Sequence, residues 1–360
     1  MVDSTKGTSK MTIGLDLGDK YSHLKVLNSE GEIIEEGRIR TNPEDFRKRF
    51  AGIDPAVVAL EAGTHSPWAY RVIKECGHDL IVANPRKVAL ISQNDQKSDD
   101  HDPELLGRLA RVDPKLLKPI EPRGIKEQTA LAVLRARDCV VRTRTTLINH
   151  ARGVVKSFGG KTTGVSVETF HKKAEECIPL EIRDTLRPLL KIIGEMTHAI
   201  DGYYKKVEKL CKKEFPKTEA LRQIDGVGAL TALAFVLVIA DPKRFKKSRE
   251  VGPYLGLTPG KDNSGEHEPE LRITKAGDGF MRRLLVCSAH YILGPFGPDT
   301  DLRRHGEKIA QTGKKKAKKR GVVAVARKLA VLLHCLWMTG EVYEPLRNTT
   351  RKQKRSVKGN

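Results

Sequence analysis

The sequence predicts an α/β domain at the front of the chain and a mainly helical region behind it. Three observations carry this. Up to residue 85, short apolar runs of strand length alternate with turn signals and short helical patterns. From residue 127 onward, apolar residues recur at helical spacing. The charge is also divided. The 360 residues hold 66 Lys and Arg against 45 Asp and Glu, a formal net charge of +21. Residues 1–120 are net −1, residues 121–300 net +9 and residues 301–360 net +13. A near-neutral front and a strongly basic rear suggest a catalytic or folding module followed by a region that binds a polyanion.

Composition narrows the class further. With 39% hydrophobic and 31% charged residues, the chain can bury a core. Its longest apolar stretch, Val227 to Ala240, has fourteen residues, which suits a buried helix and is too short for a bilayer. Met1 to Lys10 is polar, so secretion is not expected and a cytoplasmic protein is. No two of the six cysteines lie closer than 34 residues, which argues against a zinc site or a disulfide framework. Aromatics are only 5%, so phosphate contact rather than base stacking is the expected binding mode.

The front elements follow in order. Met11 to Leu17 reads as a buried strand, Tyr21 to Leu27 as a second and Glu32 to Ile39 as a third. Asn28-Ser29-Glu30-Gly31 is the hairpin turn between the last two. Pro43 to Phe50 reads as a helix, Ala56 to Ala62 as a strand, Pro67 to Cys76 as a helix, Leu80 to Ala83 as a strand and Pro85 to Ile91 as a helix. Three antiparallel strands followed by alternating helices and strands is the order of a ribonuclease H-like fold, with helices on both faces of the sheet.

Acidic residues sit where that order buries them. Asp16 lies in the first apolar strand and Glu61 ends the fourth. A lone buried carboxylate is costly, and a shared divalent cation removes the cost. Strands one and four are neighbours in this fold, so the two can converge. Asp99, Asp100 and Asp102 follow the last strand. Hard oxygen donors in a loosely held site favour Mg²⁺, which can bind phosphate oxygens of a phosphodiester. Each acid has a plainer role open to it. Asp16 could be a satisfied strand-end Asp, Glu61 a residue approaching a helix, Asp100 a solvated one, and Asp102 a helix cap before Pro103. Gly14-Leu15-Asp16-Leu17-Gly18 also resembles the phosphate loop of actin-like ATPases and sugar kinases. That architecture needs a second such turn, and Asp278-Gly279 lies outside any strand pattern.

In the middle, residues 127–158 read as a long helix with apolar pairs seven apart, from Val133-Leu134 to Val154-Val155, and arginines including Arg137 and Arg144 on other faces. A second helix carries Ile182, Leu186, Leu189, Ile193, Met196, Ile200, Tyr203, Val207 and Leu210 at coiled-coil spacing. Pro188 would kink it or delay its start. The two helices pair with each other or across a dimer.

Behind them, Ile224-Asp225-Gly226-Val227-Gly228 resembles a helix-hairpin-helix turn whose amides meet a DNA phosphate, and it also fits a plain tight turn. Ser264 lies in a Gly-flanked polar loop, with Arg272, Lys275, Arg282 and Arg283 downstream. A serine can attack a phosphodiester if a metal or base activates it. Lys314, Lys315, Lys316, Lys318, Lys319 and Arg320 form the densest basic patch, ahead of a helix from Val322 to Met338. The patch is read as a phosphate clamp, with a solvated loop as its alternative.

Together these motifs resemble the DEDD insertion-sequence transposases of the IS-one-ten family over roughly residues 11–345. The front resembles them at Gly14-Leu15-Asp16, Val58-Ala59-Leu60-Glu61-Ala62 and Lys97-Ser98-Asp99-x-x-Asp102. The rear does so at Ile224 to Gly228, Leu255 to Pro259, Ser264-Gly265 and Arg272 to Gly277, and Ala326 to Leu329 with Tyr343 resemble the closing helix. The resemblance implies a RuvC-like domain at 11–120, a helical coiled-coil region at 121–215, a mainly helical transposase domain at 216–345 and a basic tail at 346–360. It implies that Asp16, Glu61, Asp99 and Asp102 bind Mg²⁺ and that Ser264 is the nucleophile. It further implies element and target DNA as substrates, a structured guide (bridge) RNA, and a homodimer or homotetramer with shared active sites. No membrane partner is expected, and the resemblance implies a cytoplasmic, nucleoid-associated prokaryotic protein. Two other functions remain open on the residues alone. One is a junction-type nuclease that uses water on the same acids. The other is a nucleic-acid-binding scaffold with a decayed site.

Overall fold

The computed structural model describes residues 11–85, 101–260, 271–312 and 316–348. Two compact units divide the chain, residues 1–124 and 125–360. The front unit holds β1 (Thr12–Asp16), β2 (Tyr21–Leu27), β3 (Ile33–Arg40), α1 (Pro43–Ala51), β4 (Val57–Glu61), α2 (Ser66–Glu75), β5 (Asp79–Ala83) and α3 (His101–Val112). The sheet order is β3-β2-β1-β4-β5. The first three strands are antiparallel, and β4 and β5 run parallel to β1. This mixed sheet is compatible with a ribonuclease H-like domain. The helix expected over Pro85 to Ile91 falls almost wholly outside the described residues.

Alternation along the strands decides what covers each face. Ile13, Leu15, Leu24, Val26, Val58 and Leu60 are buried against Phe46 and Phe50 of α1 and Ala69, Val72 and Ile73 of α2. Asn42 starts α1 by accepting a hydrogen bond from the Asp45 amide at 2.9 Å, with Pro43 next in line. The opposite face is covered by α3, where Ala59 and Ala83 pack with Leu106, Ala110 and Leu117. On β1 this packing is closer still. A Cβ on Gly14 would stand 1.7 Å from the Pro103 carbonyl oxygen and 2.8 Å from the Gly107 amide nitrogen. Only glycine lets the first turn of α3 rest on β1.

The rear unit holds α4 (Ile125–Ser157), α5 (Phe170–Lys173), α6 (Leu180–Lys213), α7 (Thr218–Leu221), α8 (Ala229–Ile239), α9 (Val251–Tyr254), α10 (Gly279–Leu293), α11 (Asp301–Ala310) and α12 (Ala317–Thr339). α4 and α6 pair within the chain as an antiparallel hairpin. Ala130 and Leu134 share a core with Val207 and Cys211 at one end, and Ile148, Ala151 and Val155 pack with Ile182, Leu186 and Ile193 at the other. The first end belongs to the same core as α8, α10 and α12.

Three expectations for this unit are corrected. Pro188 does not delay α6, which begins at Leu180 and runs through it. The buried seam shifts from Leu189 to Leu190 and from Leu210 to Cys211. A straight helix drifts about 20° per heptad against a strict seven-residue repeat, which moves the buried position by one. Arg144, expected on an outer face, is buried at 7% exposure and donates to Thr197 Oγ1 at 3.1 Å.

α8 is buried nearly all round at the centre of this core. α12 is long and apolar enough to cross a membrane by length and composition. Its Val325, Ala326, Leu329, Ala330 and Leu333 are nevertheless fully buried in the protein core. Tyr343, expected to belong with the closing helix, lies past its end at Gly340, with its amide donating to Gln223 Oε1 at 2.9 Å.

Candidate active site

Strand register places the first two acids. β1 pairs in parallel with β4 as far as Leu15 and Leu60, so Asp16 and Glu61 are the next residues in step at the C-terminal ends of both strands. Neighbouring strands lie about 4.8 Å apart. Asp16 is two residues beyond Gly14, and Glu61 two beyond Ala59. Gly14 and Ala59 both face α3, so the acids share that face. Asp102 lies in the first turn of α3, next to the proline whose carbonyl rests on Gly14. The helix already includes His101, so Asp102 is inside the first turn and is not the residue that caps it. Asp16 and Glu61 are both half-buried.

Charged contacts tie α3 to the sheet beside these acids. Lys25 of β2 reaches Glu36 of β3 at 3.1 Å and Glu104 of α3 at 3.4 Å. Burial opposes its charge, but the hydrogen bonds to Glu36 and Glu104 outweigh that and raise the Lys25 pKa. The Arg108 hydrogen bond at 2.8 Å, helped by Lys25, lowers the Glu104 pKa. Further along, Arg108 donates to the Gly31 carbonyl at 3.2 Å, and Arg111 donates to the carbonyls of Asn28 at 3.0 Å and Ser29. These contacts seat α3 on the β2–β3 turn and so hold its first turn over β1.

The donor chemistry suits a hard divalent cation, because two carboxylates end adjacent strands on one face and a third leads the covering helix. Among the described residues, no three Asp, Glu, His or Cys side chains are gathered closely enough to hold a metal by themselves. Asp99, the remaining expected ligand, lies outside the described residues, as does Asp100.

In the rear unit, the described residues contain one isolated bridge, Pro259 with Ile273, outside the helices. Around it the Gly260 amide donates to Arg272 O at 2.9 Å, the Thr274 amide to Thr258 O at 3.0 Å and the Lys275 amide to Gly256 O at 3.2 Å. Gly256 and Gly277, at φ +66° and +72°, make this crossing possible, since a Cβ on either would meet the other segment's backbone within 2.4 Å. Ser264 lies in the stretch 261–270 between the paired segments, outside the described residues. Lys314 and Lys315 are outside them too.

The other expected basic residues divide into two groups. Arg272 and Lys275 are exposed beside the paired segments, and Lys316, Lys318, Lys319 and Arg320 are exposed at the start of α12. Arg282 instead donates to the carbonyls of Leu255, at 3.1 Å, and Ala276, which stitches the crossing together. Arg283 pairs with Asp138 at 2.6 Å. Asp278 caps α10 through the Met281 amide at 2.8 Å and pairs with Arg135. It is therefore not the second strand turn that an actin-like enzyme requires. The turn at Ile224 to Gly228 has Gly226 at φ +86°, packs against Tyr291 of α10 and borders a cleft of about 470 Å³.

The structure also adds residues that the sequence alone did not single out. Asp16 pairs across β1 and β2 with His23, and His23 pairs across β2 and β3 with Arg38. The cross-sheet row is thus Arg38, His23, Asp16, Glu61, all on the α3 side. Its signal lay in the β2 and β3 alternation, and it needed the pairing register to be seen.

Comparison with known proteins agrees with this architecture. Residues 13–159 match the DEDD transposase domain of the IS110 type, and residues 218–299 match the transposase domain described as the IS116/IS110/IS902 family. The chain is 25% identical to the transposase for insertion sequence element IS1111A of Coxiella burnetii, over 92% of this chain and 90% of the relative. It is 26% identical to a probable family 20 transposase of Pseudomonas aeruginosa, over 81% and 86%. It is 27% identical to the transposase for insertion sequence element IS1328 of Yersinia enterocolitica, over 78% and 83%. The first match spans the acid-bearing strands, the second spans the serine segment, and together they cover well over half of the chain. Both domains occur in order, and the chain belongs to the IS110/IS116/IS902 family of DEDD transposases.

Proposed function

We propose that this protein moves an insertion sequence by cutting and rejoining DNA under the guidance of a structured RNA. The family makes it a DNA transposase, an enzyme of phosphoryl transfer. The observation that carries the chemistry is the register of Asp16 and Glu61, in step on adjacent parallel strands and facing the helix that carries Asp102 in its first turn. With Asp99 they would hold divalent metal, Mg²⁺ being the expected ion. When bound, the metal would supply stabilisation of the negative charge that develops on the phosphate under attack.

The chain's own contribution is then a nucleophile. Ser264 Oγ attacks the phosphorus of a DNA phosphodiester, its proton passes to solvent or a neighbouring base, and the sugar oxygen departs and takes up a proton. A phosphoserine linkage preserves the bond energy until a second sugar hydroxyl attacks the same phosphorus and releases the serine. The exposed basic residues Arg272, Lys275, Lys316, Lys318, Lys319 and Arg320, with Lys314 and Lys315 beside them, bind RNA and DNA phosphates. Arg282, which also bonds two loop carbonyls, and Arg283, which is exposed and paired with Asp138, belong to the same phosphate-binding set. A homodimer or homotetramer sharing its sites completes the proposal.

A denaturing gel tests the covalent step. The protein with its element RNA and a labelled element-end DNA should give a protein–DNA adduct that survives detergent. Ser264→Ala should lose both the adduct and recombination. An adduct that persists in Ser264→Ala contradicts the serine assignment. Metal-dependent cutting by Ser264→Ala with no adduct favours a water nucleophile.

A further inference from the structure

The front unit carries a basic strip beside its acids that the proposed chemistry leaves unused. On β2, Tyr21, His23 and Lys25 alternate with buried Ser22, Leu24 and Val26, so they share the α3 side of the sheet. Register adds Arg40 opposite Tyr21, Arg38 opposite His23 and Glu36 opposite Lys25. The guanidinium of Arg38 lies 4.9 Å from the centre of the Tyr21 ring, which fixes both on this face. Tyr21, Arg38 and Arg40 are exposed at this end of the ribbon. A cleft of about 260 Å³ opens there, lined by His23, Lys25, Arg38 and Pro103 among others. Pro103 follows Asp102 in sequence, and His23 is the cross-strand partner of Asp16, so the lining of the cleft includes a neighbour of each acid.

Charge along the strip is not balanced from within. Glu36 is held by Lys25 at 3.1 Å, and Asp19 in the β1–β2 turn faces His65 at 3.2 Å. Arg38 and Arg40 are exposed, two residues apart on one face, at the edge strand of the sheet. Same-face residues on a strand are about 6.6 Å apart, close to the spacing of successive phosphates along a nucleic-acid strand. The acids themselves offer no cationic partner to the phosphates that flank the cut bond.

We propose that the β2–β3 ribbon is a phosphate track. Arg38 and Arg40 take the backbone phosphates of the DNA strand beyond the cleaved one, and His23 stands between that track and Asp16. This rests on Asp16 and Glu61 being the cleavage site, and it names where the substrate strand enters.

The test uses the full chain and a fluorescent element-end duplex, with affinity measured between 50 and 200 mM salt. Arg38→Gln/Arg40→Gln should bind more weakly and flatten the dependence of log affinity on log salt by about 1 to 2, because each phosphate contact contributes about 0.9. Each single variant should give about half of that change. Arg38→Lys/Arg40→Lys should restore most of the slope. Thermal melting checks that the variants are folded. Folded single and double variants with an unchanged slope overturn the track. An effect confined to RNA of the same length overturns its assignment to DNA. Asp16→Asn, measured alongside, should keep the full slope and lose cleavage. Normal cleavage by Asp16→Asn sinks the underlying site, whereas a dead Asp16→Asn with an unchanged arginine slope sinks the track alone.

Discussion

The two units hold their functional groups by different means. In the front unit, backbone hydrogen bonds set the spacing: Asp16 and Glu61 stand together because β1 and β4 are paired in register. In the rear unit, side chains reinforce a short backbone crossing: Arg282 bonds two loop carbonyls, and Arg283 and Arg135 pair with Asp138 and Asp278. A strand pair cannot change its register by one residue without turning every side chain to the other face. A side-chain clamp can be lost by one substitution. The front should therefore fail as a block, and the rear should fail locally.

The largest expected effect breaks the front. Gly14→Val drives a side chain into the Pro103 carbonyl and the Gly107 amide. It should cost about 3 kcal/mol or more and abolish cleavage, since α3 cannot reseat without moving Asp102. Gly63→Ala, where a Cβ meets nothing within 4 Å, is the control and should leave the melting temperature nearly unchanged. If Gly14→Val melts like the parent, α3 does not rest on β1.

Next, Arg282→Ala should cost about 1 to 2 kcal/mol, because one part-buried and one exposed carbonyl lose a charged donor. Hydrogen exchange should speed up around residues 255–260 and 271–277 while α4 and α6 keep their protection. Uniform loss of protection across the unit would mean that the rear too behaves as a block.

A third substitution separates stability from binding. Lys318 and Lys319 put positive charge on the first turn of α12, where the helix dipole disfavours it. Lys318→Gln/Lys319→Gln should raise stability by a few tenths of a kcal/mol and weaken nucleic-acid binding several-fold at low salt. Tighter or unchanged binding would remove this patch from the phosphate contacts.

The smallest effect sharpens the link between α3 and the sheet. Glu104→Gln should cost less than about 1 kcal/mol at neutral pH, as for a partly exposed pair. The Glu104 pKa is lowered in the folded protein, so its contribution is present above the ordinary 4.5 and lost as pH falls through the lowered value. The Lys25 pKa is raised, so its contribution is present below the ordinary 10.5 and lost as pH rises through the raised value. Chemical denaturation of Glu104→Gln and parent should therefore differ at pH 7 and converge toward pH 3. A gap that persists there would assign the loss to packing.

Legibility followed the same division. The five strands and the two long helices were readable because period 2 and period 3.6 are local signals. Asp16 and Glu61 stood out as carboxylates closing apolar runs, a conflict visible in one dimension. Gly14 was quoted as part of a motif, but its contact with Pro103 and Gly107 joins residues about ninety apart and left no local trace. The intramolecular partners of the basic residues were hidden for a similar reason. Composition cannot separate an arginine that meets solvent from Arg282 or Arg144, whose partners lie far along the chain. The coiled-coil repeat erred by one residue at Leu189 and Leu210, where a straight helix outran the seven-residue spacing.

The most direct measurement compares the parent with Asp16→Asn and Glu61→Gln for cutting of an element-end DNA in Mg²⁺, with DNA affinity measured in the same preparations. Both variants should bind DNA like the parent and cut it about a thousandfold more slowly, as loss of a metal's several kcal/mol of charge stabilisation requires. Parent-like cutting by either variant would contradict the acid pair as the catalytic centre.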